Sequence, residues 1–262
     1  MKDPLHDLPR WLETANAMAD ETRRLVLDAV ARGFSHRFKA DDSFVTDVDL
    51  AVERHLRTRI AAHFPGHGVI GEELDATGTG AELRWTIDPI DGTHSFRFGV
   101  PFYGTLLALL HGDVPVLGVI DMPGLALRVA GARGLGARAN GAALRLADAD
   151  GPVEREIVAT GDRAQFEKAG KLSSYERLAR EHPVVRTYSD CLGHALALQG
   201  RVGAMVDFGL HLWDVAATEA IAREAGARFV CLERRGATGA DARHDVVFGK
   251  PAVVDRLLRI LT

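Results

Sequence analysis

Trp85-Thr86-Ile87-Asp88-Pro89-Ile90-Asp91-Gly92-Thr93 is the stretch on which the reading of this chain turns. Its first residues are apolar or β-branched and read as a strand. That strand runs directly into two aspartates three residues apart. Pro89 stiffens the turn between them, and Gly92 relaxes the backbone limits after it. Two carboxylates projected from one strand end repel each other unless a cation sits between them. Ligation by oxygen alone favours Mg²⁺ or Mn²⁺ over zinc. The same residues also read as an Asp-rich turn used only for its backbone geometry.

Working outward, helical spacing of Trp11, Ala15, Met18, Ala19, Leu25, Val26 and Val30 predicts a helix from Leu8 to Ala31, ended at Gly33. A second helix is expected from Thr46 to Phe64, with Thr46-x-x-Asp49 as a capping arrangement and Pro65-Gly66 as its stop. The period then shortens to that of strands: Val69-Ile70, Leu83 to Ile87, Gly104 to Leu110, Val114 to Ile120, Leu127 to Ala130 and Ala143 to Leu146. His111-Gly112-Asp113 reads as a hairpin turn, and the Gly-rich stretch Gly131 to Gly141 as a connection.

Beyond about residue 150 strands and helices alternate. Strands are expected at Ile157 to Thr160, Val184 to Tyr188 and Ala204 to Phe208, and near Phe229 and Val246. Helices are expected at Asp162 to Arg180, Cys191 to Gln199, Trp213 to Ala225 and Pro251 to Leu261. The pattern predicts an α/β protein of layered α+β packing: an N-terminal α+β half over 1–145 and a C-terminal α/β half over 146–262. No internal repeat or low-complexity linker interrupts it.

Composition narrows the function. With 262 residues and 47% hydrophobic content the chain can bury a sizeable core, which excludes disorder. Acidic residues (36) slightly outnumber Lys plus Arg (32), and no long run of one sign marks a nucleic-acid or membrane partner. Small molecules are the expected partners. Cys191 and Cys231 stand far apart, so neither a disulfide framework nor a thiolate metal site is expected. The charged start, Met1 to Arg10, has no secretory apolar stretch, and no run approaches the roughly 18 to 20 apolar residues of a membrane span. A cytoplasmic setting is expected.

Two further acids occupy element ends. Gly71-Glu72-Glu73 closes a short strand, which reads either as a solvated loop or as a third acid at the same edge. Trp213-Asp214 opens a helix whose following residues are apolar, so Asp214 is either a plain N-cap or an acid held at a positive helix end. A shared divalent-cation site accounts for all three ends at once.

In this order, Gly71-Glu72-Glu73, Asp88-Pro89-Ile90-Asp91-Gly92-Thr93 and Trp213-Asp214-Val215-Ala216-Ala217 resemble the inositol monophosphatase superfamily of metal-dependent, lithium-sensitive phosphatases. Val45-Thr46-x-x-Asp49 is similar to the leading motif of that family, and the resemblance spans about Val45 to Gly226. It implies an alternating α-β-α-β-α layered sandwich, a homodimer, and two or three Mg²⁺ ions per site. By this resemblance Glu72, Asp88 and the Ile90 carbonyl would hold one cation, and Asp88, Asp91 and Asp214 a second. Thr93, supported by Asp49, would work with Glu72 to orient and deprotonate the attacking water. The amides of Gly92 and Thr93 would receive the phosphate. Such chemistry, in which paired cations clamp an in-line displacement, needs no covalent nucleophile.

Within the superfamily, the run from Phe96 to Pro123 and Ser189-Asp190-Cys191 look more like the histidinol-phosphatase branch than the inositol branch. The resemblance therefore implies L-histidinol phosphate as substrate, in histidine biosynthesis, with inositol 1-phosphate as the alternative. A non-catalytic phosphate-binding protein is the competing class. Asp190 would pair with the substrate amine. His94 stands where the histidinol-phosphatase branch usually carries Lys or Arg, and Asp207 where inositol-type enzymes usually carry Glu for a substrate hydroxyl. Asp190 also reads as a helix cap, and Asp207 as a strand end. Lys39 lies in a polar loop upstream of Asp49 and is a candidate to close over the site. His63 and His67, four apart, are separated by Pro65-Gly66 and read as loop residues rather than metal ligands.

Overall fold

Alternation of buried and exposed positions, with a period near 3.6 in some segments and 2 in others, generates the elements of the computed structural model, which describes residues 5–38, 44–236 and 242–262. The first part of the chain forms α1 (Leu8–Arg32), β1 (His36–Phe38), β2 (Phe44–Thr46), α2 (Asp47–His63), β3 (Gly68–Gly71), β4 (Leu83–Asp91) and α3 (Thr93–Arg97). A meander follows: β5 (Gly104–His111), β6 (Val114–Met122), β7 (Leu127–Ala132), β8 (Gly136–Ala139) and β9 (Ala142–Leu144). The remainder comprises β10 (Val158–Thr160), α4 (Arg163–Lys168), α5 (Leu172–Glu181), β11 (Val185–Thr187), α6 (Asp190–Leu198), β12 (Ala204–Leu210), α7 (Leu212–Ala225), β13 (Arg228–Arg235), β14 (Arg243–Gly249) and α8 (Pro251–Leu261).

Among the described residues the strands form a seven-stranded sheet in sequence order β3 to β9, a five-stranded sheet ordered β11-β10-β12-β14-β13, and the ribbon β1-β2. Residues of β5 alternate between two cores: Leu107 and Leu109 join α1 and α2, while Leu106, Ala108 and Leu110 join α6 and α7. The five-stranded sheet does the same. Met205, Val246 and Phe248 face α6 and α7, and Val206 and Val247 face α4, α5 and α8. The layers are therefore α-β-α-β-α, as expected. The larger sheet is complete by Leu144 and the smaller begins at Val158, but α6 and α7 lie between them and bury residues against both.

The sequence misjudged several elements. The helix expected from Asp162 to Arg180 is two helices: Gly170 adopts φ +71°, Lys171 N donates to Phe166 O (2.7 Å) and Gly170 N to Glu167 O (2.9 Å). That pair of bonds is a Schellman stop, which glycine accommodates without Cβ strain. Strand β8 was hidden among the glycines of Gly131 to Gly141, and the short β1-β2 ribbon and α3 lack enough residues to show a period. Lys39 lies outside the described residues. No described helix is long and apolar enough to cross a membrane.

Two contacts fix how the layers sit. Asp121 on β6 is buried and accepts from Nη2 and Nε of Arg23 on α1 (2.6 and 3.0 Å) and from Nε of Arg128 on β7 (2.6 Å). On the other face, α7 turns small buried residues (Ala216, Ala217, Ala220) toward the sheet. It comes so close that a Cβ on Gly118 would lie 2.8 Å from Ala217 Cα. Gly118→Ala must push α7 away from β6, and we expect it to lose about 1–3 kcal/mol in urea unfolding. An unchanged unfolding midpoint would show that the α7–β6 approach is not tight.

Candidate metal centre and active site

β3 runs parallel to β4, with Gly71 opposite Ile87, so both strands end at the same edge of the large sheet. Glu72 follows directly and is anchored by its amide, which donates to Ile87 O (3.1 Å). In a regular strand residues three apart face opposite sides. Here Asp88 pairs with Leu106 and Asp91 with Gly104, so β4 carries one residue more than β5 between those pairs. This bulge turns Asp88 and Asp91 to one side. Pro89, which has no amide to donate, sits within it, and its carbonyl accepts from Thr105 Oγ1 (2.8 Å). Gly92 then adopts φ +81°, where a Cβ would lie 2.6 Å from Phe102 O. Only glycine permits this exit into α3.

The fourth acid arrives from the other end of the chain. Asp214 is not the cap of α7: His211 is, and Asp214 stands at the third helical position, where its Oδ2 accepts from His211 N (2.7 Å). Glu72, Asp88, Ile90, Asp91, Gly92, Thr93, Asp190, Asp207 and Asp214 all line one cavity of about 240 Å³. Asp49 is the exception among the residues named from sequence. It is buried on α2 behind the wall, in the expected capping box: its Oδ2 accepts from Thr46 N (2.9 Å) and from the Thr46 hydroxyl, while its Oδ1 has no hydrogen-bond partner. The Thr93 hydroxyl donates to Ile90 O (2.9 Å) rather than to Asp49.

Asp190 does not cap α6; Ser189 does, and Asp190 is the first helical residue, in a left-handed conformation (φ +57°) that few residues other than glycine adopt. Asp207 is not at a strand end but inside β12, beside a bulge. Its Oδ1 accepts from Gln165 Nε2 (2.7 Å) and Phe208 N (3.0 Å), and its Oδ2 pairs with His194 Nε2 (3.1 Å). His194 in turn meets Thr218 Oγ1 through Nδ1 (2.7 Å). His194 and Gln165 both line the cavity, and neither has a local sequence signal that would have singled it out. Trp213 also lines it and is stacked on His211 (centroids 4.3 Å, 12°); Phe44 and His94 form a second aromatic pair on the wall (4.7 Å, 78°). His67 is no ligand: Nδ1 accepts from Trp85 Nε1 (3.2 Å) and its ring stacks on Phe64.

Crowding of buried acids dominates the electrostatics. Burial, reinforced by Glu72, Asp91, Asp214 and Asp49, pushes the Asp88 carboxyl well above the usual carboxylate range. Burial does the same to Asp91, helped by Asp190 and Asp214, and to Asp214, helped by Glu72. Burial also lifts Asp49 and Asp190 to about 6. Asp88 Oδ1 is buried with no hydrogen-bond partner. Among the described residues no three His, Cys, Asp or Glu side chains are gathered closely enough to form a ready-made cage. The shared cavity, the unpartnered Asp88 oxygen and the all-oxygen donor set nevertheless fit a hard divalent cation such as Mg²⁺.

A model of the inositol monophosphatase family matches residues 7–257. The chain belongs to that family. It is 36% identical over 226 residues to a histidinol-phosphatase of Chlorobaculum parvum, covering 86% of each chain. It is 33% identical over 257 residues to the probable inositol 1-monophosphatase ImpA of Mycobacterium tuberculosis, covering 95% of this chain and 93% of the relative. Among solved structures, the extragenic suppressor protein suhB of Bartonella henselae superposes with a TM-score of 0.84 at 24% identity, over 97% of this chain and 98% of that one, which shows the fold. This member of the inositol monophosphatase family is a phosphoric monoester hydrolase, in a family that is generally metal-dependent.

A pH effect on stability follows. Asp49 and Asp190, ordinarily near 3.8 and lifted to about 6, bind protons more tightly folded than unfolded. Their contribution to stability is complete below the unfolded value and is lost as pH rises through the folded one. We expect the thermal midpoint in chelator to fall between about pH 4 and about pH 6.5, the interval between the unfolded and folded values, and Mg²⁺ to flatten that slope by supplying the missing positive charge. A chelated midpoint that stays level or climbs over this interval would contradict the crowding.

Proposed function

We propose that this phosphatase hydrolyses L-histidinol phosphate to L-histidinol and phosphate, with Mg²⁺ held by Glu72, Asp88, Asp91, Asp214 and the Ile90 carbonyl. The observation that carries the metal assignment is the β4 bulge, which turns Asp88 and Asp91 into a cavity that Glu72 and Asp214 also line. When bound, Mg²⁺ supplies Lewis-acid charge that neutralises the ester and acidifies the attacking water. The chain's own residues do the remainder. Glu72 and Thr93 orient that water and take its proton. The Thr93 hydroxyl, which donates to Ile90 O, would turn toward the unpartnered Asp49 Oδ1 to pass its own proton on as it takes that of the water. The first amides of α3 have no acceptor within the helix and, with Gly92, receive the phosphate oxygens.

Two features favour histidinol phosphate. A Cβ on Gly92 would lie 3.5 Å from Asp190 Oδ2, so an anion stands beside the phosphate-binding turn, where the ammonium of an amino-alcohol phosphate falls. Asp207 also lines the cavity, but its carboxylate already takes part in three hydrogen bonds out of about four acceptor sites, so it adds charge and one contact at most. The rings of Phe44, His94, His211 and Trp213 present flat apolar surface suited to an imidazole, whereas a polyol needs hydrogen-bonding partners around its ring. The kinship with histidinol-phosphatases at 36% and 35% identity points the same way, toward histidine biosynthesis. Inositol 1-phosphate is the second reading, favoured by the ImpA likeness over 95% of the chain. Kinship is also the ground for expecting a cytoplasmic homodimer that lithium inhibits.

The deciding measurement is kcat/KM on both esters, with Mg²⁺ and in chelator. Histidinol phosphate should be preferred by roughly tenfold or more, the discrimination a single charge-assisted contact supplies. Equal or reversed preference would overturn the substrate assignment. Asp190→Asn should raise KM for histidinol phosphate by about tenfold while sparing an aryl phosphate that has no amine. Asp88→Asn and Asp91→Asn should each abolish Mg²⁺-stimulated turnover and leave the thermal midpoint of the chelated protein level or slightly higher, since each relieves repulsion. Near-normal activity in either variant would remove that residue from the metal site.

A further inference from the structure

Glu53 is a buried acid on α2 that does not line the cavity, yet its side-chain hydrogen bonds run to the segment that carries Glu72 and to the arginine one turn along α2. Its Oε1 accepts from Arg57 Nε (2.8 Å) and from the Leu74 amide (3.2 Å), and its Oε2 accepts from the Glu73 amide (2.8 Å). Arg57 closes the circuit by donating from Nη2 to the Leu74 carbonyl (2.8 Å). On the other side of Glu72, the backbone of Gly71 rests against the same carboxylate: a Cβ there would overlap it, with even the farther oxygen only 2.8 Å away. The residues immediately before and after Glu72 are thus both seated on Glu53.

Burying an ion pair is a weak way to stabilise a fold, because desolvating both charges offsets most of their attraction. A fully bonded buried carboxylate does fix geometry. We propose that Glu53 is a positioning residue for Glu72, setting the place from which the Glu72 carboxylate enters the cavity; the inference rests on the reading of Glu72 as a cation ligand. Asp49 precedes Glu53 by one helical turn on the same face of α2, so a single helix sets two of the site's acids. Partners that orient ligands in this way typically change metal affinity about tenfold to hundredfold when altered.

The test compares Glu53→Gln, which puts an NH₂ group against a backbone N–H, with Gly71→Ala, which presses a methyl on the carboxylate from the opposite side. Both should weaken Mg²⁺ binding in calorimetry by roughly tenfold to hundredfold. Both should lower kcat on a simple aryl phosphate at fixed Mg²⁺, with KM for the ester changed by no more than about threefold, the pattern of lost transition-state rather than substrate contacts. A purely structural Glu53 would lower the thermal midpoint and leave Mg²⁺ affinity and kcat of the folded protein native, and that result overturns the proposal. If Glu53→Gln does not fold, Gly71→Ala decides by the same readings. Glu72→Gln separates the two levels. Unchanged Mg²⁺ binding in Glu72→Gln would remove the ligand reading itself. Weakened binding there, with native binding in the other two variants, would remove only the positioning role.

Discussion

Mutual repulsion among buried carboxylates is the constraint around which the structure is arranged. Asp88, Asp91 and Asp214 lie deep enough that burial alone penalises their charge, and neighbouring acids of the same cavity penalise each of them further. Nothing in such a cluster holds itself together, so every acid is fastened from outside. Asp88 and Asp91 are held by the ladder on either side of a bulge, Asp214 by a bond from its own helix cap, and Glu72 by its amide on β4. A site of this kind trades local stability for a fixed concentration of negative charge, and the apolar layers supply the rigidity.

α7 joins the halves of that arrangement. Its first turn delivers Asp214, its alanine face lies against Gly118 in the large sheet, and Val215 reaches the core shared with the smaller sheet. Because close packing transmits small displacements, the distance between Asp214 and the β4 acids depends on contacts well away from the cavity. The same holds for α1, whose arginine is tied to the buried Asp121 of β6.

Around the acids runs a layer of satisfied polar groups. Thr218, His194, Asp207 and Gln165 form one chain from α7 through α6 and β12 to α4, crossing four elements on the cavity's far wall. Glu53 and Arg57 form another beneath Glu72. Buried polar groups are tolerated when fully bonded, and networks of this sort restrict side chains to single orientations.

What the sequence determined by itself was local. Asp88-Pro89-Ile90-Asp91-Gly92-Thr93 declared a strand end bearing two acids, Thr46-x-x-Asp49 a capping box, and the change from helical to strand period the order of layers, because each depends on neighbours within a turn or a few residues. Only tertiary structure decided the rest. Gln165 meets Asp207 across 42 positions and Arg23 meets Asp121 across 98, and hydrogen-bond satisfaction at such separations leaves no periodic trace in the chain. The bulge that brings Asp88 and Asp91 to one side exists only through pairing with β5, and the placement of Asp214 beside them only through the packing of α7 on that sheet. Local preference chose the acids and their elements; close packing between distant segments chose which of them meet.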